Sequence, residues 1–169
     1  MTKKILIILA LLIIVLIGLS IYSKNTPEKN NETPIQNNSS VVYKNTEYGF
    51  NFSLPKDWKG YSIVKNTWTG SPLDNPSAQS GPKLLIRNPA WTVGAPYEDL
   101  PILVFTIDQW NGYLAEDFSV SAAPILASEL GRNNKYVFAL PPRWDFDYST
   151  GYEQAQQIIA SKPLQPFNI

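Results

Sequence analysis

The chain contains no cysteine and no histidine. Without thiols there can be no disulfide, no thiolate nucleophile and no zinc–thiolate centre. Without imidazole the chain lacks the commonest general base, the commonest metal ligand and every Ser–His pair. It also lacks an excess of either charge, because Lys+Arg 14 balance Asp+Glu 14. Lys3, Lys4, Lys24 and Lys29 fall within the first forty residues, which leaves the remainder slightly acidic. A nucleic-acid backbone demands clustered Lys and Arg, so no nucleic acid is expected as a partner. No cofactor is expected either. A domain without disulfides must hold itself together by its apolar core, and at roughly 130 residues it buries about two-thirds of its unfolded surface.

What is present begins with a hydrophobic segment. Met1-Thr2-Lys3-Lys4 precedes an uncharged run from Ile5 to Ile21, which Tyr22 extends. A membrane-spanning helix needs about 20 apolar residues, with a range near 17–25, whereas the core of a signal peptide is about 7–15. Residues 1–22 are therefore read as a transmembrane anchor, and as a signal segment if cleavage follows Ser20 or Ser23. Lys3 and Lys4 before the run are matched by Lys24 and Lys29 after it, so the terminal amine tips the charge balance. The expected protein is single-pass, with its C-terminal domain outside the cytoplasm, and is secreted if the segment is removed. Residues 23–40 are polar and rich in Asn, Thr and Pro. Such a stretch is a flexible linker with a root-mean-square reach of about 20 Å.

Residues 41–169 carry the signals of a folded domain. Phe50, Phe52 and Leu54 alternate on one face of a strand that Pro55 ends, and Gly49 supplies the turn before it. Tyr61 to Thr67 and Lys83 to Arg87 alternate in the same way, and Pro101 to Asp108 reads as a continuously apolar central strand. Ile125 to Leu130 and Lys135 to Leu140 bracket Gly131-Arg132-Asn133-Asn134 as a hairpin, with a short helix at 124–130 as the other reading of the first arm. Thr150 and Glu153 have the spacing of a capping box, and Tyr152, Ala155, Ile158 and Ile159 follow on one helical face until Pro163. Strands closed by an amphipathic helix point to an α+β arrangement, an antiparallel sheet flanked by helices.

The stretch Tyr48-Gly49-Phe50-Asn51-Phe52-Ser53-Leu54-Pro55-Lys56-Asp57-Trp58 resembles the opening hairpin of PsbP-like domains, which share a fold with Mog1. The resemblance covers about 16 residues from Tyr43, and elsewhere follows only the coarse order of elements. It implies a PsbP/Mog1-like αβα sandwich. It brings no activity with it, and Gly49, Phe50, Phe52, Pro55 and Trp58 are equally explained by folding.

The candidate sites are few. Ser62-Ile63-Val64-Lys65 matches S-x-x-K, but that nucleophile motif needs a helix and its S-D-N and K-T-G partners, neither of which occurs. Asp145 and Asp147 at i and i+2 suggest a weak calcium site, although Thr150 and Gln156 stand where a calcium loop needs Gly and Glu. Trp91, Tyr97, Trp110 and Tyr113 fall in or beside expected loops. Exposed aromatics there would form a binding patch for a protein or glycan partner of the cell envelope. Two of Asp108, Glu116, Asp117, Asp145 and Asp147 around one pocket would instead make a small hydrolase of envelope glycans. The leading expectation is a membrane-tethered interaction or structural module, with residues 5–22 in the membrane.

Overall fold

Two strands with apolar residues on both faces organise the domain. In the computed structural model, which describes residues 40–72, 78–145 and 149–169, these are β5 (Leu100–Thr106) and β8 (Tyr136–Leu140). Ile102 and Val104 of β5 and Phe138 of β8 point into one core, whereas Leu103, Phe105, Val137 and Ala139 point into another. A strand buried on both faces reads as an unbroken apolar run, because neither alternate row can be polar.

Around them runs a six-stranded antiparallel sheet in the order β6-β3-β4-β5-β8-β7, formed with β3 (Ser62–Pro72), β4 (Gln79–Arg87), β6 (Phe118–Ser119) and β7 (Ser128–Arg132). A second, three-stranded sheet has the order β1-β2-β9, from β1 (Val41–Asn45), β2 (Phe50–Leu54) and β9 (Leu164–Pro166). The first core lies between the two sheets. It joins Phe50, Phe52 and Leu54 of β2 to Leu84, Ile86, Leu100, Ile102, Val104 and Phe138 of the large sheet, with fully buried Trp58 among them. Helix α2 (Tyr152–Ala160) adds Ala155 and Ile158 to this core. The second core lies on the opposite face, under α1 (Ile107–Leu114), where Trp110 and Tyr113 pack on Phe105 and Phe118.

This architecture corrects the α+β expectation of a sheet flanked by helices. Strand far exceeds helix among the described residues, which include two α-helices, and the layer facing much of the large sheet is itself a sheet. The physical reason is the apolar row of β2. Phe50, Phe52 and Leu54 need an apolar partner surface, and they find it as the middle strand of the small sheet rather than at the foot of a helix. The αβα sandwich implied by the resemblance is therefore not the arrangement of this domain. The expected transmembrane helix, residues 1–22, and all but Ser40 of the 23–40 linker lie outside the described residues. Among the described residues, no helix is long and apolar enough to cross a membrane.

Local expectations fared unevenly. The 125–140 hairpin forms as β7 and β8, but its first arm starts at Ser128 and runs through Gly131 and Arg132, with a bulge between Glu129 and Gly131. Helix α2 forms where its periodicity places it. Its N-cap is Gly151 at φ 87, with no side-chain cap, rather than Thr150. The run from Pro101 to Asp108 is interrupted: the strand ends at Thr106, whose hydroxyl accepts from Gln109 N while Gln109 Oε1 accepts from Thr106 N. That reciprocal cap starts α1.

The seam between the sheets is rich in tyrosine. Tyr43 packs on Phe50 and Tyr61, and Tyr48 on Tyr136, with ring centroids 5.5 to 5.8 Å apart. Burial raises the phenol pKa of Tyr43 and Tyr61 above the usual value. Tyr48 is pushed up to about 12 by burial first and then by its hydrogen bond to Glu47. A phenol with a higher pKa folded than unfolded stabilises fully below the unfolded value near 10. That contribution fades as pH rises toward the folded value. Urea midpoints of the protein should therefore fall between pH 10 and about 12, and Tyr48→Phe should flatten that decline. A midpoint that holds level across the window in the native chain would contradict this coupling.

Candidate functional site

The structure divides the four aromatics of the expected patch. Trp110 and Tyr113 are each only 3 % exposed, because both sit on the inner face of α1 rather than in loops. The Tyr113 hydroxyl accepts a hydrogen bond from Ala127 N at 2.7 Å, which ties α1 to the segment before β7. Trp91 is half-buried, with the Arg87 guanidinium 3.9 Å from its ring centroid. That guanidinium also grips Asp99 through two nitrogens, Nη2 at 2.8 Å and Nε at 3.1 Å. The hydrogen bond to Asp99 raises the arginine pKa further above its already high value. Trp91 thus closes the loop between β4 and β5, as the lid of a cation–π clasp. Tyr97 is half-buried beside Thr150, which it meets through a parallel bridge at the start of α2. The four do not form one surface.

The carboxylates are also dispersed among elements. Asp108 is exposed in the first turn of α1, and Asp117 is exposed beyond its end. Asp145 accepts from the Gln156 amide of α2. Asp147 lies outside the described residues, and no group of three or more His, Cys, Asp or Glu that would hold a metal is found among the described ones. Ser62 and Lys65 lie on β3, and the Lys65 ammonium is 2.9 Å from Glu47 Oε2. Glu47 is correspondingly lowered in pKa by that hydrogen bond.

A concave site lies elsewhere, at the β3–β6 end of the large sheet. A cavity of about 660 Å³ is bounded by Thr69 and Ser71 of β3, by Tyr113, Glu116 and Phe118, and by the whole segment from Ser119 to Leu126. Its size falls in the range of small-molecule and side-chain pockets, about 300–1,000 Å³. The floor is the aromatic cluster of the second core, where Phe118 meets Trp68 and Tyr113. The rim is Ser119-Val120-Ser121-Ala122-Ala123-Pro124-Ile125-Leu126. This segment is held in shape by its own serines: Ser119 Oγ bonds Ser121 O, and Ser121 Oγ accepts from Ala123 N at 2.9 Å. Ile125 is 52 % exposed and Leu126 49 %, so two large aliphatic side chains stand in water at the edge of the cavity.

Of Asp108, Glu116, Asp117 and Asp145, Glu116 alone lines the cavity. Carboxylate-pair hydrolysis needs two carboxyls across one cleft, and the described lining supplies a single one. What the arrangement offers is apolar contact, hydroxyls and one negative charge. The expected strand arm from Ile125 overlaps the end of this segment, and periodicity gives no sign that it shapes a cavity. Its signal in the sequence was an aliphatic pair, Ile125-Leu126, following Pro124. No family model matches the chain, and neither the curated proteins nor the solved structures compared with it give a match.

Proposed function

We propose that this chain is a non-catalytic binding module, tethered to a membrane by residues 5–22, that grips apolar side chains of an extracytoplasmic protein in the cavity rimmed by Ser119–Leu126. The observation that carries this reading is the exposed Ile125–Leu126 pair at the mouth of an aromatic-floored cavity. Large aliphatic side chains left in water beside a concave surface cost free energy, about 25 cal/mol per Å² of apolar area, which a partner recovers by covering them. Hydroxyls of Thr69, Ser71 and Ser121 on the lining supply the few polar contacts that fix orientation in such sites. The anchor agrees with this role, since a tether confines a binder to one surface and raises its effective concentration there.

The test uses the full chain in detergent micelles as bait against envelope extract. A partner retained by the native chain should fall at least tenfold with Leu126→Asp, which sets a charge at the mouth. It should be unaffected by Trp91→Ala, which opens the loop clasp away from the cavity. Equal retention by Leu126→Asp would remove the cavity from the function.

A further inference from the structure

The cavity stands at one end of a strand edge whose hydrogen-bonding direction can be worked out from three prolines. β3 pairs with β4 along Ser62–Gly70, but with β6 only at Ser71 and Pro72. Beyond those two residues its outer side has no strand partner among the described residues. In an antiparallel ladder, opposed residues alternate between pairs that exchange both backbone bonds and pairs that exchange none, and proline fits only where its missing N–H is not called upon. Pro72 faces Phe118, so the bonded pair with β6 is Ser71–Ser119. Pro82 faces Thr67, so Thr67 does not bond toward β4. Pro101 faces Leu85, so Leu85 bonds toward β3, to Val64, its opposite residue there. All three proline positions give one answer. The even residues of β3 bond to β4, and Ile63, Lys65, Thr67 and Thr69 turn their N–H and C=O groups outward.

Nothing in the turn and loop bonds of the described residues occupies those groups. Lys65, Thr67 and Thr69 are exposed and Ile63 half-exposed, so water reaches the edge. Sheet edges are commonly guarded by proline, bulges, inward charges or short length. The opposite edge of this sheet has such a guard, because β7 carries the bulge between Glu129 and Gly131. Between Ser62 and Gly70, β3 offers only Lys65 as a guard, and its ammonium is already paired with Glu47 at 2.9 Å. Thr69 then leads directly into the cavity wall.

From this geometry we infer that the partner is an extended polypeptide segment, which adds to β3 as a new strand from Ile63 to Thr69 and lays its side chains at the Thr69 end in the cavity. This rests on the binding role proposed above and specifies its ligand. A row of alternating donors and acceptors at strand spacing, about 3.3 Å per residue, is matched by another polypeptide backbone, and no glycan or lipid repeats that pattern. The chain itself shows the mode: β6 pairs antiparallel with β3 and then turns away at Ser119–Ser121, leaving the track open.

The test selects binders to the full chain in micelles from a library of random dodecapeptides, and measures backbone amide exchange with and without a selected peptide. The amides of Ile63, Lys65, Thr67 and Thr69 should exchange freely alone and slow at least tenfold with peptide, while those of Val64, Asn66 and Trp68 are protected in both. N-methylation of the peptide at one set of alternate residues should weaken binding at least tenfold, and at the other set hardly at all. Thr67→Pro should abolish the interaction. A library that yields no binder, peptides that leave the β3 amides unchanged, or equal binding by both methylated series would each overturn strand addition. Concentration-dependent protection of β3 without peptide would overturn it too, in favour of a second copy of the chain. The two proposals fail separately: peptides that need Leu126 but leave β3 unprotected spare the cavity, and β3 protection indifferent to Leu126→Asp spares the edge.

Discussion

Gly49→Ala is expected to cost the domain about 3–4 kcal/mol, lowering its melting temperature by roughly 10–15 °C. Two separate penalties meet at this residue. Its φ of 81° is left-handed, where a side chain costs about 1–2 kcal/mol. In addition, a Cβ there would lie 2.5 Å from Phe167 O and 2.7 Å from Asn133 Nδ2. Neither neighbour can yield cheaply. Phe167 N donates to Gly49 O at 2.9 Å, which holds the end of β9 against the β1–β2 turn. Asn133 Nδ2 donates to the Tyr48, Gly49 and Phe167 carbonyls, while its Oδ1 accepts from Lys135 N and Tyr136 N at 2.9 Å. One amide side chain thus joins the turn of the small sheet to the β7–β8 hairpin of the large one. Pushing it aside breaks the bond set that keeps the two sheets in place. Gly60→Ala provides the control, because φ is 96° there but the nearest atom to a Cβ is Pro89 Cβ at 3.8 Å. Thermal melts of the two variants should separate backbone strain from collision. Equal losses at both sites would show that the Asn133–Phe167 junction contributes nothing beyond the dihedral.

That junction also marks the boundary of what the sequence made legible. Gly49 as a turn, Phe50 and Phe52 as a core row and Pro55 as a strand end were all readable, because each follows from local geometry. Where the apolar row of β2 would find its partner was not readable. That depends on β4, β5 and β8 across the first core, and on β9, more than a hundred residues away in sequence, which makes β2 a middle strand. Helix α1 was hidden for a different reason: Ile107 continues the apolar run of β5, so hydrophobicity alone does not show the change of period. The Thr106–Gln109 capping spacing was the one local mark of that boundary. Without that mark Trp110 and Tyr113 read as loop residues of a surface patch, whereas the helix turns both into the core. The cavity was less legible still. Residues 119–126 have neither helical nor strand period, and their shape comes from serine-to-backbone bonds and from the aromatic floor beneath.

Adjacent proline substitutions on β3 should give opposite results, and this contrast is the largest effect that can be drawn from the sheet register. Asn66 opposes Lys83, and by the parity fixed at Pro72, Pro82 and Pro101 it exchanges both backbone bonds with β4. Asn66→Pro removes a ladder donor and drives a ring into the neighbouring strand, a position where proline is essentially never found. Because β3–β4 pairing carries one side of both cores, that loss should leave little folded protein at 37 °C. Thr67 differs by one residue and faces the open edge, where proline is tolerated. Thr67→Pro should cost no more than about 1 kcal/mol, chiefly through the restriction on the residue before it. Residue 66 is already extended, so even that restriction is mild. Chemical denaturation of the two variants decides the matter without any ligand. Should Thr67→Pro unfold the domain and Asn66→Pro spare it, the outward row would be the even residues. Ile63, Lys65, Thr67 and Thr69 would then bond to β4 and offer no groups to a partner, and strand addition through them would fall.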